Sequence, residues 1–351
     1  MESLVGAELT SLLESHERFW KRRPADRPLL RVGEYVSLRG NPNVPLRGDR
    51  WAGEGDYLTP EDLDLDRMLE QWAVPAAPRD GDFLCEAAPY GLCWMEALIG
   101  ARVRAASGSI WSEPIPFDWA DTRSLRKRLG AGNPWRDKLG EYLVRLADRA
   151  GGRVPIAHPL MRGPVDMVEA LVGSEGLALA VYDRPTELRE VLDVCADAFV
   201  QVGRLVPELT PAFCGGRSTF GIWAPGTVIR LQADHAALLS PTTYREHFAP
   251  FDWRIAAEFD YSIFHLHSVC LHVLDVLLAI EPLDAVQVSL DPWPAGPRLG
   301  AILSDLARVQ AAAKSLLITG GPVSRDELDQ ALALLPSAGL ALQVQIGGTR
   351  D

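Results

Sequence analysis

Tyr261-Ser-Ile-Phe-His-Leu-His-Ser268 is a run rich in β-branched and aromatic residues, the composition of a buried strand. Side chains alternate along a strand, so Ile263, His265 and His267 share one face while Phe264 and Leu266 share the other. Two further segments read the same way. Upstream, Val228-Ile-Arg-Leu-Gln-Ala-Asp234 sets Arg230, Gln232 and Asp234 against Ile229, Leu231 and Ala233. Downstream, Ala285-Val-Gln-Val-Ser-Leu-Asp291 sets Gln287, Ser289 and Asp291 against Val286, Val288 and Leu290. Each segment has one apolar face and one polar, chemically competent face. The pattern predicts three neighbouring parallel strands whose polar faces look into an enclosed cavity.

Working outward, strands and helices alternate. Residues 7–20 carry apolar side chains at helical spacing, and Arg27–Val36 reads as a strand. A Gly-, Pro- and Asn-rich loop is expected from Arg39 to Trp51. Phe83–Ala88 and Val154–His158 read as short strands, the second following a helix over 137–150. A long helix over 185–206 leads to the strand at 228. Beyond the strand at 285, a helix over 299–314, a strand Ser315–Thr319, a helix opened by Ser324 and a last strand Leu340–Ile346 complete the series. About eight strands alternating with helices predict an α/β protein: a single (β/α)8 TIM barrel over residues 1–351 with N-terminal helical and irregular additions. An open doubly wound sheet is the alternative. Within this one domain, 1–136 holds the additions and 137–351 the regular β/α portion.

The chain has 351 residues, 47% hydrophobic and 23% charged, an ordinary globular composition. A formal charge of −12 argues against a nucleic-acid or anionic-membrane partner. Five scattered cysteines with no CxxC pair suit a reducing cytoplasm. The expectation is a cytoplasmic protein without a signal peptide, since Met1-Glu-Ser-Leu-Val-Gly6 lacks a basic segment before an apolar core. No apolar run reaches the ~20 residues of a membrane span.

Reactive residues of a barrel gather at the C-terminal ends of its strands. Asp234, His267 and Asp291 end strands, and Glu86, His158 and Arg162 lie at or just past strand ends. One inward histidine is most often a hydrogen-bonded core residue. Two in an H-x-H on one strand project the same way, which suits a metal, proton transfer or an anion. His265 and His267 are therefore the candidate metal ligands and, with Asp234 and Asp291, the candidate catalytic groups. Residue i sits deeper than i+2, so His265 is also within reach of Gln232 or Gln287. Arg230 facing inward is costly unless paired or offered to an anion. Arg230, Gln232, Arg162, Gln287 and His158 are thus candidate binders of a small anionic substrate. Trp94, Met95 and Glu96, with the Trp- and Pro-rich residues 101–136, are expected to line or cover the cavity mouth, or else to pack a cap.

Gly163-Pro164, then Leu-Val-Gly-Ser-Glu-Gly and Tyr182-Asp-Arg-Pro-Thr-Glu-Leu, resemble the uroporphyrinogen decarboxylase superfamily. So do Asp234-His-Ala-Ala-Leu-Leu-Ser-Pro-Thr-Thr-Tyr-Arg-Glu-His-Phe-Ala-Pro250 and the His-bearing strand that follows. The resemblance covers roughly residues 150 to 345 and implies a (β/α)8 barrel. It implies either a porphyrinogen-type decarboxylase or a zinc-dependent methyltransferase working between a corrinoid and a thiol, with a corrinoid protein as partner. The decarboxylases' Met-Arg-Gln-Ala-Gly-Arg motif is replaced here by Leu30-Arg-Val-Gly-Glu-Tyr-Val36. The methyltransferases bind zinc through His-x-Cys and a later Cys; here His265 matches the His, His267 replaces the Cys, and the later Cys is missing. A third ligand then has to come from Asp291, Asp234, Glu86 or Cys85. The methyltransferase branch is the first expectation, a metal-free decarboxylase the second, and a non-catalytic small-molecule-binding barrel the third. A single chain and a homodimer are both compatible with the sequence.

Overall fold

In the computed structural model the described residues are 2–34, 44–48, 50–53, 55–72, 75, 77–106, 109–130 and 132–347. The end of the first expected strand (Tyr35, Val36) and the start of the expected loop (Arg39 to Asn43) lie outside them. Six strands form one parallel sheet: β1 (Leu29–Glu34), β2 (Val228–Gln232), β3 (Tyr261–His267), β4 (Ala285–Leu290), β5 (Ser315–Val323) and β6 (Leu340–Ile346). Their order is β1-β6-β5-β4-β3-β2. The alternating segments at 228, 261 and 285 are therefore adjacent parallel strands, in register Gln232 to His265 to Gln287.

The architecture is α/β with a central parallel sheet, but the sheet is open, with β1 and β2 as its edges. The two short strands expected to complete eight do not join its ladder. Phe83–Leu84 pairs antiparallel with Arg79–Asp80, and Ala87 makes a single parallel bridge to Ile156. Prolines explain the brevity. Pro155 has no N–H, so this contact is limited to Ala87 N–H on the Pro155 carbonyl and Ala157 N–H on the Ala87 carbonyl. Residues 101–136 are more regular than expected: Arg102–Ala106 and Ser109–Glu113 form a hairpin beside Asp56–Leu58, and Thr122–Arg128 is helical.

Helices used below are α1 (Glu2–Trp20), α2 (Trp94–Leu98), α3 (Pro134–Ala150), α4 (Pro164–Asp183) and α5 (Pro185–Leu209). The alternation along the strands sorts the core into two clusters. Leu231, Phe264, Leu266, Val286, Val288, Leu316, Ile318, Leu342 and Val344 pack with helix residues such as Phe199 and Leu306. On the other face, Val228, Ile263, Ala285, Leu317 and Ala341 pack against Phe19 and Trp20 of α1. The inward face is thus apolar at the strands' N-terminal ends and stoppered by α1. Trp20 Nε1 donates to the Trp223 carbonyl at 2.9 Å. One or two steps further along the same strands, the side chains on this face are Arg230, Gln232, His265, Gln287, Thr319 and Gln343, so the face turns polar toward the strands' C-terminal ends. No helix among the described residues is long and apolar enough to cross a membrane.

Candidate functional site

His265 and His267 leave β3 on the inward face, with ring centroids 4.9 Å apart. His267 is 36% exposed at its side chain, whereas the deeper His265 is 9% exposed. Each ring is anchored through Nδ1. His267 Nδ1–H donates to Asp291 Oδ1 at 2.7 Å. Asp291 Oδ2 in turn accepts from Ser268 Oγ at 2.9 Å and Val269 N–H at 3.2 Å. Burial pushes the Asp291 carboxyl up, but the His267 and Ser268 donors outweigh it and hold it below its ordinary value. His265 Nδ1–H donates to Gln287 Oε1, whose Nε2 donates to Thr319 Oγ1 at 2.5 Å. Burial first, then the charge of Arg230, lowers His265 to about 4, so the ring is neutral at pH 7 and its Nε2 lone pair is available.

Asp234 lies two residues beyond β2, as the first residue of a 3-10 turn Asp234–Leu238. Its Oδ2 accepts from Gln232 Nε2 at 2.8 Å and stands 3.9 Å from Arg162 Nε. Its Oδ1 faces His267 Nε2 at 3.7 Å. One ligand atom from each of Asp234, His265 and His267 lies within 4.8 Å of the others. Asp234 is therefore the third group beside the histidines. Asp291 acts behind His267, and Glu86 is half-buried and accepts from Ser218 Oγ at 2.5 Å, with desolvation raising its pKa.

The two arginines are engaged by the chain itself. Arg230 donates to Gln232 Oε1 at 2.6 Å and lies 4.8 Å over the Phe220 ring. Burial lowers it to about 10. Phe220 is the tip of a hairpin (Arg217–Thr219, Ile222–Ala224) that enters the interior, and its ring stacks on His265 with centroids 6.2 Å apart. Gln343 Nε2 holds the Phe220 carbonyl at 2.8 Å. Arg162 pairs with Glu96 at 3.2 Å. Glu96 is 1% exposed, and burial raises its pKa against the pull of Arg162.

Two expected substrate contacts are corrected. Trp94 is fully buried in α2, edge-on to Trp135 of α3 at 5.8 Å, with its Nε1 on the Tyr90 carbonyl at 2.8 Å. It is core, and so is Met95. His158 is buried and turned to α5. Its Nε2–H donates to the Gly203 carbonyl of α5 at 3.0 Å, and burial lowers it to about 4.

Four contributors had no reading in the sequence: Phe220, Ser268, Thr319 and Asp166. Asp166 is 4% exposed in the first turn of α4, and its carboxylate takes the backbone N–H groups of Asp234 and His235 at 3.1 and 2.8 Å. Burial, then the neighbouring Asp234, pushes the Asp166 carboxyl up against those two donors. Its only sequence signal is the Gly163-Pro164-Val165-Asp166 helix start, which looks like any acidic first turn. No protein-family model matches the chain, and no curated protein matches it either.

Proposed function

We propose that the chain is an enzyme working with one divalent metal ion held by Asp234, His265 and His267. One observation carries the reading: each of the three side chains has one polar atom tied back and the other left facing its neighbours. His265 Nδ1 is on Gln287, His267 Nδ1 on Asp291, and Asp234 Oδ2 on Gln232. Ligating histidines commonly have the second ring nitrogen fixed by a carboxylate or carbonyl in this way. Two imidazoles and a carboxylate suit zinc with a position left open. A zinc ion bound there supplies Lewis-acid chemistry, lowering the pKa of a bound water or thiol.

The charge of the site supports a cation. Glu86, Glu96, Asp166, Asp234 and Asp291 outnumber Arg162 and Arg230, and burial, with Asp234 nearby, raises the carboxyls of Glu96 and Asp166, a crowding that a bound cation would relieve. A metal-free decarboxylase gripping acidic groups with arginine is the second reading. Arg230 gives one nitrogen to Gln232, and its buried Nε has no hydrogen-bond partner among the described residues, so it keeps a donor for an anionic substrate. Within the metal reading, methyl transfer with a corrinoid partner is the reaction class that the resemblance suggests. The donor set lacks sulfur: Cys270 is a buried thiol raised to about 11, chiefly by burial.

A closed barrel is also part of the proposal. It is supported by Asp82 N–H on the Leu30 carbonyl of β1 at 3.2 Å and by the parallel bridge of Ala87 to Ile156.

The test is metal content after purification without chelator and reloading with zinc. The expected result is one zinc per chain, lost in His267→Ala and bound more tightly in His267→Cys. A folded wild type that takes up no zinc ends the reading.

A further inference from the structure

We infer that Asp166 is a positioning residue for this centre, setting the backbone from which Asp234 projects; the inference rests on the metal reading above. The first N–H groups of a helical turn have no partner within the turn. In the turn that starts at Asp234, the N–H groups of Asp234 and His235 are both taken by Asp166, across 68 and 69 residues of chain. Oδ2 accepts the first and Oδ1 the second, so both oxygens are in use. The N-cap of α4 is Gly163, which offers no side-chain cap, and the first turn of that helix delivers Asp166 to the end of β2 instead. Close approach of the two backbones makes this reach possible: a Cβ on Gly163 would collide with the Gln232 carbonyl.

Asp234 is therefore fixed twice. Gln232 holds its Oδ2, and Asp166 holds the main chain beneath it. Only the second contact sets where the carboxylate starts from. The task needs two acceptor oxygens, whereas an amide has one and would aim its NH2 at a backbone N–H. Asp166→Asn should then behave like Asp166→Ala, although it is nearly isosteric.

The probe is Co2+ alone, titrated into the full chain and followed by its visible absorption bands, whose position and intensity report coordination geometry. Asp166→Asn is expected to weaken Co2+ binding by about 10–100-fold and to change the band intensity, with the near-ultraviolet circular dichroism of the folded chain retained. His16→Ala is the control for lost stability, since it removes a buried, doubly bonded side chain beside α1's end of the interior. It should lower Tm and leave the Co2+ titration unchanged. Wild-type affinity and spectrum in Asp166→Asn, or equal weakening in His16→Ala, overturns the inference while the metal reading stands. No Co2+ uptake by the wild type overturns both. If Asp166→Asn does not fold, amide exchange in the wild type decides. The Asp234 and His235 N–H groups should be protected before metal is added, and fast exchange without metal refutes the pre-set turn.

Discussion

His158 gives its Nε2 proton to the Gly203 carbonyl, 3.0 Å away, in the place of an N–H that α5 lacks. Residue 207 is four positions on, and it is Pro207, inside the helix. The histidine thus repairs a gap in the helix ladder. His158→Ala should cost about 1–3 kcal/mol of stability by leaving a buried carbonyl unpaired, read by urea unfolding. The cost should shrink when Pro207→Ala restores the N–H, and zinc binding should not change.

His16 sets a pH dependence. Its Nε2–H donates to the Asp82 carbonyl at 2.7 Å, and its Nδ1 accepts the Trp223 N–H at 2.9 Å. Burial lowers it from 6.5 to about 4. A depressed pKa means that the unfolded chain binds the proton first. The stabilisation is therefore complete above pH 6.5 and is lost as pH falls toward 4, up to about 3 kcal/mol. Unfolding free energies from pH 7.5 to 4 should show the loss, and His16→Gln should flatten that part of the curve.

Gly163 tests the apposition of α4 and β2. Gly163→Ala drives a methyl group into the Gln232 carbonyl, and backbone cannot yield as a flexible side chain can. Stability should drop by about 1–3 kcal/mol. Zinc affinity should fall as well, because Gln232 and Asp234 move together. Unchanged affinity in a destabilised variant would separate the two.

These predictions also mark how far the sequence carried. Period-two alternation put His265, Gln287 and Gln232 on one inward face, because burial of the opposite face leaves a strand no other register. Trp94 and Met95 stayed open between two readings, since a Trp-rich run reads alike whether it covers a cavity or fills a core. His158 misled because the vacancy it fills is made by Pro207, 49 positions later. Asp166 was invisible for a similar reason. Its partners are backbone N–H groups, which every residue carries, so only the fold shows which ones it meets.

Asp291 tests how His267 is held. With its carboxylate removed, the His267 ring loses the acceptor that fixes its tautomer and angle. Asp291→Ala should weaken zinc binding by about 10–100-fold, measured by competition with a chelator. A twofold change or less would mean that the ring is oriented by other contacts.

The most direct measurement of the central claim is the X-ray absorption spectrum of the zinc-loaded chain. Asp234, His265 and His267 as ligands predict a first shell of nitrogen and oxygen only, at about 2.0–2.2 Å, with the outer-shell scattering of two imidazoles. That scattering should be lost in part in His265→Ala. A sulfur shell at about 2.3 Å, or a spectrum without imidazole, would contradict the account.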